Sequence, residues 1–301
     1  MARAQSAMEY LMTYGWAILI IAIVLAALFQ LGVFSSSTFA PKAPPGSCQV
    51  FRPNGPGSTQ FINTEGVCNG ELPQYVGGFN GASSYILAMP QIPQISAGGQ
   101  GKITVTVWAF RSSSPSSSQL NIMHYGGGVE CSSTDNNFEI FVAGGTSPYN
   151  AYALLHCSNY LISTHVLSST WVFYAVTFNG STEKGYAGMN GQLMLGSTNT
   201  GISNVVLAQN SPLLMGGSGP FDGYWPGMLA NMQVYNTTLS ANEIQALYLE
   251  GIGGAPVDLQ NLVGWWPLNG NAHDYSGNNN NGQINGGVTF TNSWESGYTQ
   301  P

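Results

Sequence analysis

The spacing of hydrophobic and polar positions changes character three times along this chain. An unbroken apolar run comes first, GWAILIIAIVLAALFQLGVF from Gly15 to Phe34, without one charged residue. A helix of about twenty residues is about 30 Å long, the thickness of a bilayer's hydrocarbon core, so this run predicts an N-terminal transmembrane α-helix. The pattern then dissolves in SSSTFAPKAPPG, where Ser and Pro without periodicity predict an exposed, semi-stiff linker. Beyond it, CQVFRPNGPGSTQFINTEGVC has the look of a hairpin. From Leu72 to about Gly251 short apolar runs are divided by Gly, Asn, Ser and Pro turns.

The clearest of these runs are Ser84–Met89, Lys102–Phe110, Leu120–Tyr125, Phe138–Ala143, Ala151–Cys157, Trp171–Phe178 and Met228–Tyr235. KITVTVW and FEIFVA alternate strictly, which predicts strands with one face buried and one face solvated. Many short strands at this spacing predict a mainly β, antiparallel sandwich or jelly roll. LSANEIQALYLEGIGG interrupts the pattern with helical spacing. Ser240 and Glu243 have capping-box spacing and Gly251 is placed as the stop, so a short helix near residues 240–250 docks on the sandwich through Ile244, Leu247 and Tyr248. The expected layout is a leader and helix over 1–34, a linker over 35–47, a clipped hairpin over 48–71, a sandwich over 72–252 and a C-terminal extension over 258–301.

Composition narrows the partners. Only 6% of residues are charged, with 13 Asp and Glu against 6 Lys and Arg, a surface that repels phosphate backbones and excludes nucleic acid. Aromatic residues are 12%, enough to build a core, so low charge does not signal disorder here. Polarity carried by amides, hydroxyls and Gly suits a secreted β protein. Cys48, Cys68, Cys131 and Cys157 lack C-x-x-C spacing, which argues against zinc or redox chemistry. Outside the cell they would form disulfides. The sequence-local pairing Cys48–Cys68 with Cys131–Cys157 is the expectation, and four buried thiols are the alternative.

The start of the chain, ARAQSAMEYLMTYGW, places a lone carboxylate, Glu9, at the mouth of the apolar helix. A carboxylate near lipid costs a few kcal/mol at the bilayer centre and persists when a cation is near. Cutting between Ala4 and Gln5 creates one, because the new α-amino group lies four residues from Glu9. These residues resemble the class III signal peptide and start of type IV pilins, archaeal ones especially: Arg3 and Ala4 before the cut, Gln5 after it, Glu9 in the acidic position, then the apolar helix. The resemblance implies a membrane-held precursor and pilin subunits as partners. An uncut anchor and a secretory signal cleaved near Ala40 are the alternatives.

Further along, YVGGFNGASSYI, ITVTVWAF, WVFYAVTFNG and GPFDGYWPGMLANMQVYNTTLSANEIQALYLEG resemble successive blocks of laminin G-like, concanavalin A-like jelly-roll domains. That likeness implies a curved two-sheet sandwich that binds glycan, protein or matrix, often beside a calcium ion. Leu262–Phe290 resembles the opening segment of the same family, after the domain has closed. It is a remnant of a second repeat, an edge supplied to a neighbouring subunit, or, the expectation here, a segment that returns to cover its own sandwich.

Candidate chemistry is sparse. The Glu-x-Asp-x-x-Glu strand motif of glycoside hydrolases on this fold does not occur, and Glu130, Asp135 and Glu139 are spaced irregularly. His124, His156, His165 and His273 show no partner at a telling distance, so a non-catalytic role is expected. For calcium, Asp222 and Asp274 match the family's acidic positions, and Asn278 adds an amide oxygen; turn-forming roles are the alternative. For a glycan, Tyr224 and Trp225 supply flat rings with Asn190 and Asp222 as polar company, unless the rings plug the core. Asn179-Gly180-Ser181 and Asn236-Thr237-Thr238 fit the N-glycosylation triplet, in a chain so rich in these residues that two triplets are no more than chance supplies. The combined expectation is a cell-surface pilin-like adhesin with an extracellular glycan- or protein-binding domain. The alternatives are a structural pilus subunit and, further off, a surface glycoside hydrolase.

Overall fold

The computed structural model describes residues 14–26, 48–53, 59–64, 72–90, 101–112, 119–126, 138–143, 149–155, 158–163, 168–202, 211–217 and 223–301. The chain divides into two units, residues 1–48 with 63–67 and residues 49–62 with 68–301. In the first, residues 14–26 form helix α1, with every side chain exposed. Among the described residues no helix is long and apolar enough to cross a membrane. The rest of the predicted span, residues 27–34, lies outside the described residues, as do Ala4, Gln5 and Glu9. Strands β1 (Cys48–Pro53) and β2 (Thr59–Thr64) pair as a two-stranded sheet. Cys68, Cys131 and Cys157, and with them the disulfide pairing, lie outside the described residues.

The second unit is an antiparallel two-sheet sandwich. One sheet has eight strands: β3 (Val76–Asn80), β5 (Ile103–Arg111), β10 (Trp171–Phe178), β11 (Thr182–Met189), β12 (Gln192–Thr200), β14 (Pro226–Tyr235), β15 (Leu262–Trp266) and β17 (Thr289–Thr291). Its order is β12-β11-β10-β5-β14-β3-β17, with β15 also on β14. The other has seven, in the order β16 (Gln283–Asn285), β4 (Tyr85–Ala88), β13 (Leu213–Met215), β6 (Gln119–Tyr125), β7 (Phe138–Ala143), β8 (Ala151–Leu155) and β9 (Ser158–Ser163). Between them lies a core that includes Ile103, Val105, Val107, Ile140, Val176, Met232 and Trp266.

The strict alternation of β5 was expected to leave one face wet, yet all nine of its residues are buried. The reason is a second core on the outer face of the eight-stranded sheet. Trp108 stacks on Tyr248 at 5.8 Å and meets Phe173 at 5.4 Å and Tyr298 at 5.6 Å. Tyr248 belongs to helix α2 (Ala241–Glu250), whose capping box between Ser240 and Glu243 and buried residues Ile244, Leu247 and Tyr248 match the sequence reading. The helix lies close enough that a Cβ at Gly188 would fall 2.5 Å from the Tyr248 ring, so only glycine fits there. Trp171 extends this core, donating its Nε1–H to the carbonyl of Trp294 at 2.9 Å.

The tail returns to this sandwich. β15 pairs with β14 over Met232–Tyr235, β16 pairs with β4 and β17 pairs with β3. Since β5 occupies the other edge of β14, β3 and β15 share one edge end to end. The junction is Asn231, at φ 51°, a left-handed value that Asn tolerates better than most residues. Its Nδ2 donates to Gly254 O at 2.8 Å and its Oδ1 accepts from Trp265 Nε1 at 2.8 Å and Gln233 Nε2 at 3.0 Å. In the unpaired state, such apolar edges are an aggregation hazard.

One buried group works against this packing. Glu183 stands opposite Phe178 in the β10–β11 register, on the inward face, and neither carboxylate oxygen has a hydrogen-bond partner. Burial pushes its pKa up to about 8 from 4.5. The folded chain therefore keeps a proton that the unfolded chain has released, across the window from pH 4.5 to about 8. Stability falls as pH rises through that window, by roughly 3 kcal/mol in all at pH 7, and levels off above it. Glu183→Gln should flatten this slope, gaining stability at pH 8 over the parent and little at pH 4.5, as read by denaturant unfolding across pH.

Candidate functional site

The outward-facing side chains of the seven-stranded sheet form a continuous row. Ile86, Leu213, Tyr125, Phe138 and Leu155 point into the core, so their neighbours point away from it. Register then sets Leu87, Leu214, His124, Glu139 and Leu154 side by side across five strands. Oε1 of Glu139 lies 3.1 Å from Nδ1 of His124. Its Oε2 accepts from Gln119 Nε2 at 2.7 Å, and the same amide donates to Asn121 Oδ1 at 2.9 Å. His124, Glu139 and Asn121 are all buried. The sequence reading found no partner for His124, because the two residues sit fifteen positions apart and only the β6–β7 register, shifted by a bulge between Asn121 and Met123, makes them neighbours.

At one end of this row the segment Gly223–Trp225 is tied down by backbone bonds. Gly223 O accepts from Asn121 N at 2.7 Å, Trp225 N donates to Gly216 O at 2.9 Å, and Trp225 O accepts from Gly81 N at 3.1 Å. Tyr224 is thereby laid over Gly217, where a Cβ would be 2.9 Å from the ring, and beside Tyr85, with centroids 6.4 Å apart and planes tilted by 35°. Both rings are half-buried. Tyr85 stands opposite Asn285 on the edge strand β16, with Gln283 two positions along, opposite Leu87, and Asn285 Nδ2 donates to Gln283 O at 3.0 Å. A pair of open aromatic faces flanked by amides can stack against the apolar face of a sugar and hydrogen-bond its hydroxyls.

The expected pairing of Tyr224 with Trp225 is corrected. Trp225 is 1% exposed and donates its Nε1–H to the carbonyls of Phe110 at 3.2 Å and Met228 at 3.3 Å, so it plugs the core. Successive residues of an extended chain point to opposite sides, and only one of the two rings can face out. Tyr85 takes its place: YILA is apolar throughout, so only the alternating burial of the folded strand shows that Tyr85 faces outward. Asn190 is exposed, but it forms the Asn-Gly turn of the β11–β12 hairpin, at φ 50° with Gly191 at 77°, three strands from β14. Nothing joins it to Tyr224 among the described residues. Its role is that of a turn former.

Asp274 and Asn278, expected as calcium ligands, are engaged by hydrogen bonds in this structure. Oδ1 of Asp274 accepts from Trp265 N and Ser276 N, and Oδ2 from Asn280 N and Ser276 Oγ, all at 2.9 Å. Asn278 turns its Nδ2 donor inward, to Leu262 O at 2.9 Å and Val263 O at 3.0 Å. Both residues are taken up in a clasp that binds the Asn-rich loop to β15, and a cation would have to displace four donors from Asp274. Asp222 lies outside the described residues. Among the described residues, no three His, Cys, Asp or Glu side chains gather as metal ligands. At the opposite end of the sandwich, a pocket of about 180 Å³ is lined by Thr177, Asn179, Lys184, Tyr186 and the residues that cap α2.

Comparison with known proteins fits this geometry. The model of the concanavalin A-like lectin/glucanases superfamily matches residues 80–245. The chain belongs to that superfamily. Its jelly roll is similar to the heptameric SAP-like pentraxin of Limulus polyphemus, with 13% identity, a TM-score of 0.50, and coverage of 73% of this chain and 95% of the pentraxin. Two more distant likenesses are the enzymatically active domain of tailspike protein 2 of bacteriophage CBA120 (15% identity, TM-score 0.48, 66% of this chain and 33% of that one) and domain 4 of the arabinanase AbnA of Geobacillus stearothermophilus, bound to arabinotriose (14%, 0.42, 59% and 81%). At these identities the likeness is one of fold. No curated protein sequence matches the chain. The superfamily match ends before β15, so the tail that carries Asp274 is an addition to the matched part of this concanavalin A-like domain.

Removing the clasp has a measurable cost. Asp274→Ala strips the acceptor from four donors, three of them backbone amides, and should destabilise the fold by about 3 kcal/mol. If the clasp rather than a cation engages Asp274, any shift of the melting temperature by calcium or EDTA should be the same in the parent and in Asp274→Asn; a calcium shift lost in the variant would contradict the assignment.

Proposed function

We propose that this chain is a cell-surface adhesin in which a pilin-like N-terminal segment carries a non-catalytic, glycan-binding concanavalin A-like domain. The observation that carries the binding half is the Tyr85–Tyr224 pair, half-exposed and flanked by Asn285 and Gln283 at the edge of the seven-stranded sheet. Large rings held open on a rigid sheet, with amides in reach, are the groups a sugar surface needs. Membership of a lectin-containing superfamily supports the same reading. The non-catalytic half is supported by Glu139, which is buried, accepts from Gln119 and lies 3.1 Å from His124 Nδ1. Surface display rests on the motif around Ala4, Gln5 and Glu9, which implies cleavage and membrane or filament partners.

Two measurements test the two halves separately. On a broad panel of surface polysaccharides the full-length chain should bind at least one neutral glycan. Tyr224→Ala and Tyr85→Ala should each weaken that binding about tenfold, ~1.4 kcal/mol, with the melting temperature nearly unchanged. A panel without binding, or variants that bind as the parent does, would remove the site. For surface display, the mass of the mature chain should correspond to a start at Gln5; a chain that retains Met1, or starts beyond Ala40, would exclude pilin-type processing.

A further inference from the structure

The two N-glycosylation triplets are 57 positions apart in sequence, yet the fold brings them to one end of the sandwich and distinguishes between them. Asn179 follows β10 and Asn236 follows β14, and these strands flank β5 in the eight-stranded sheet. Tyr224 precedes β14, at the opposite end. Both asparagines are exposed. Their surroundings differ in the hydroxyl that completes each triplet.

At the first triplet the β10–β11 hairpin turns on Asn179-Gly180-Ser181-Thr182, closed by Asn179 N donating to Thr182 O at 3.1 Å, with Gly180 at φ 98°. Asn179 Oδ1 accepts from Ser181 N at 3.1 Å, Thr182 N at 2.8 Å and Ser181 Oγ at 3.3 Å. The hydroxyl of the triplet thus polarises the acceptor's own amide, while Nδ2 points to no partner among the described residues. Three donors on Oδ1 fix the orientation of the amide and hold Nδ2 at an exposed hairpin tip. At the second triplet, Thr238 Oγ1 instead donates to Phe178 O at 2.7 Å, and the Thr237 carbonyl accepts from Thr104 Oγ1 at 2.8 Å. That triplet is built into the fold, and its hydroxyl is unavailable to Asn236.

We propose that Asn179 is a glycan-acceptor site of the folded chain and that Asn236 is not. The co-reactant is a lipid-linked saccharide phosphate. Asn179 Nδ2 forms a bond to the anomeric carbon, the bond from that carbon to the phosphate oxygen breaks, the lipid phosphate leaves with the electron pair, and the amide proton passes to a base of the transferase. A glycan there extends from the end of the sandwich remote from Tyr85 and Tyr224 and leaves that face open. Modification in the organism depends on the surface location proposed above; the acceptor geometry does not.

The test incubates the purified, folded, full-length chain with a lipid-linked oligosaccharide and an oligosaccharyltransferase that recognises Asn-x-Ser/Thr, followed by peptide mass mapping. The expected result is added mass on the Asn179 peptide, lost in Asn179→Gln, at least tenfold reduced in Ser181→Ala and retained in Asn236→Gln. No added mass on that peptide, equal modification of Asn236, or an unchanged signal in Ser181→Ala would overturn the proposal. Mapping the chain from its native surface separates the two readings: a bare Asn179 there, beside efficient modification in vitro, counts against surface exposure and leaves the acceptor assignment standing.

Discussion

The sandwich depends on what happens at one residue of its central strand. At Asn231 the backbone of β14 turns through a left-handed conformation, and the strand exchanges β3 for β15 along the same edge. The side chain that permits this turn also binds its consequences, because its amide joins Trp265 of the tail, Gln233 of β14 and the Gly254 carbonyl after α2. Buried polar groups of this kind are costly unless every partner is present. Fixing β15 there sets where the remaining tail can reach, and so places β16 against β4.

That placement links the scaffold to the candidate site. β4 presents Tyr85, and β16 sets Asn285 and Gln283 opposite it and Leu87. Tyr224 arrives from the other direction, on a segment pinned to β6 and to the end of β13. The site is thus assembled from the beginning, middle and end of the domain. The same tail closes the second core, where Trp294 and Tyr298 cover Trp108 and Trp171. The second core buries both faces of β5 and β10, and the half-buried Tyr85 and Tyr224 lie at the rim of the other sheet; loops and edges on a rigid scaffold are where sandwich proteins bind.

Glu183 and the His124–Glu139 pair show how differently two buried carboxylates are treated. Glu139 accepts from Gln119 Nε2 on one oxygen and lies 3.1 Å from His124 Nδ1 with the other, whereas neither oxygen of Glu183 has a partner and desolvation raises its pKa. The first arrangement orders a face of the sheet. The second makes stability a function of pH.

Much of this was legible in local pattern. Alternation in KITVTVW and FEIFVA marks β5 and β7, and Ser240, Glu243 and Gly251 mark the ends of α2, because period, capping and turn chemistry act over a few residues. The blocks that resemble laminin G-like domains pointed to the family, and the odd tail pointed to a segment in need of a partner. Tertiary structure alone decided the rest. Whether Trp225 or Tyr224 faces outward depends on which backbone groups hold their segment, and His124 meets Glu139 only through strand register. Those outcomes turn on contacts between distant parts of the chain, and a sequence states its neighbours along the chain, not across a sheet.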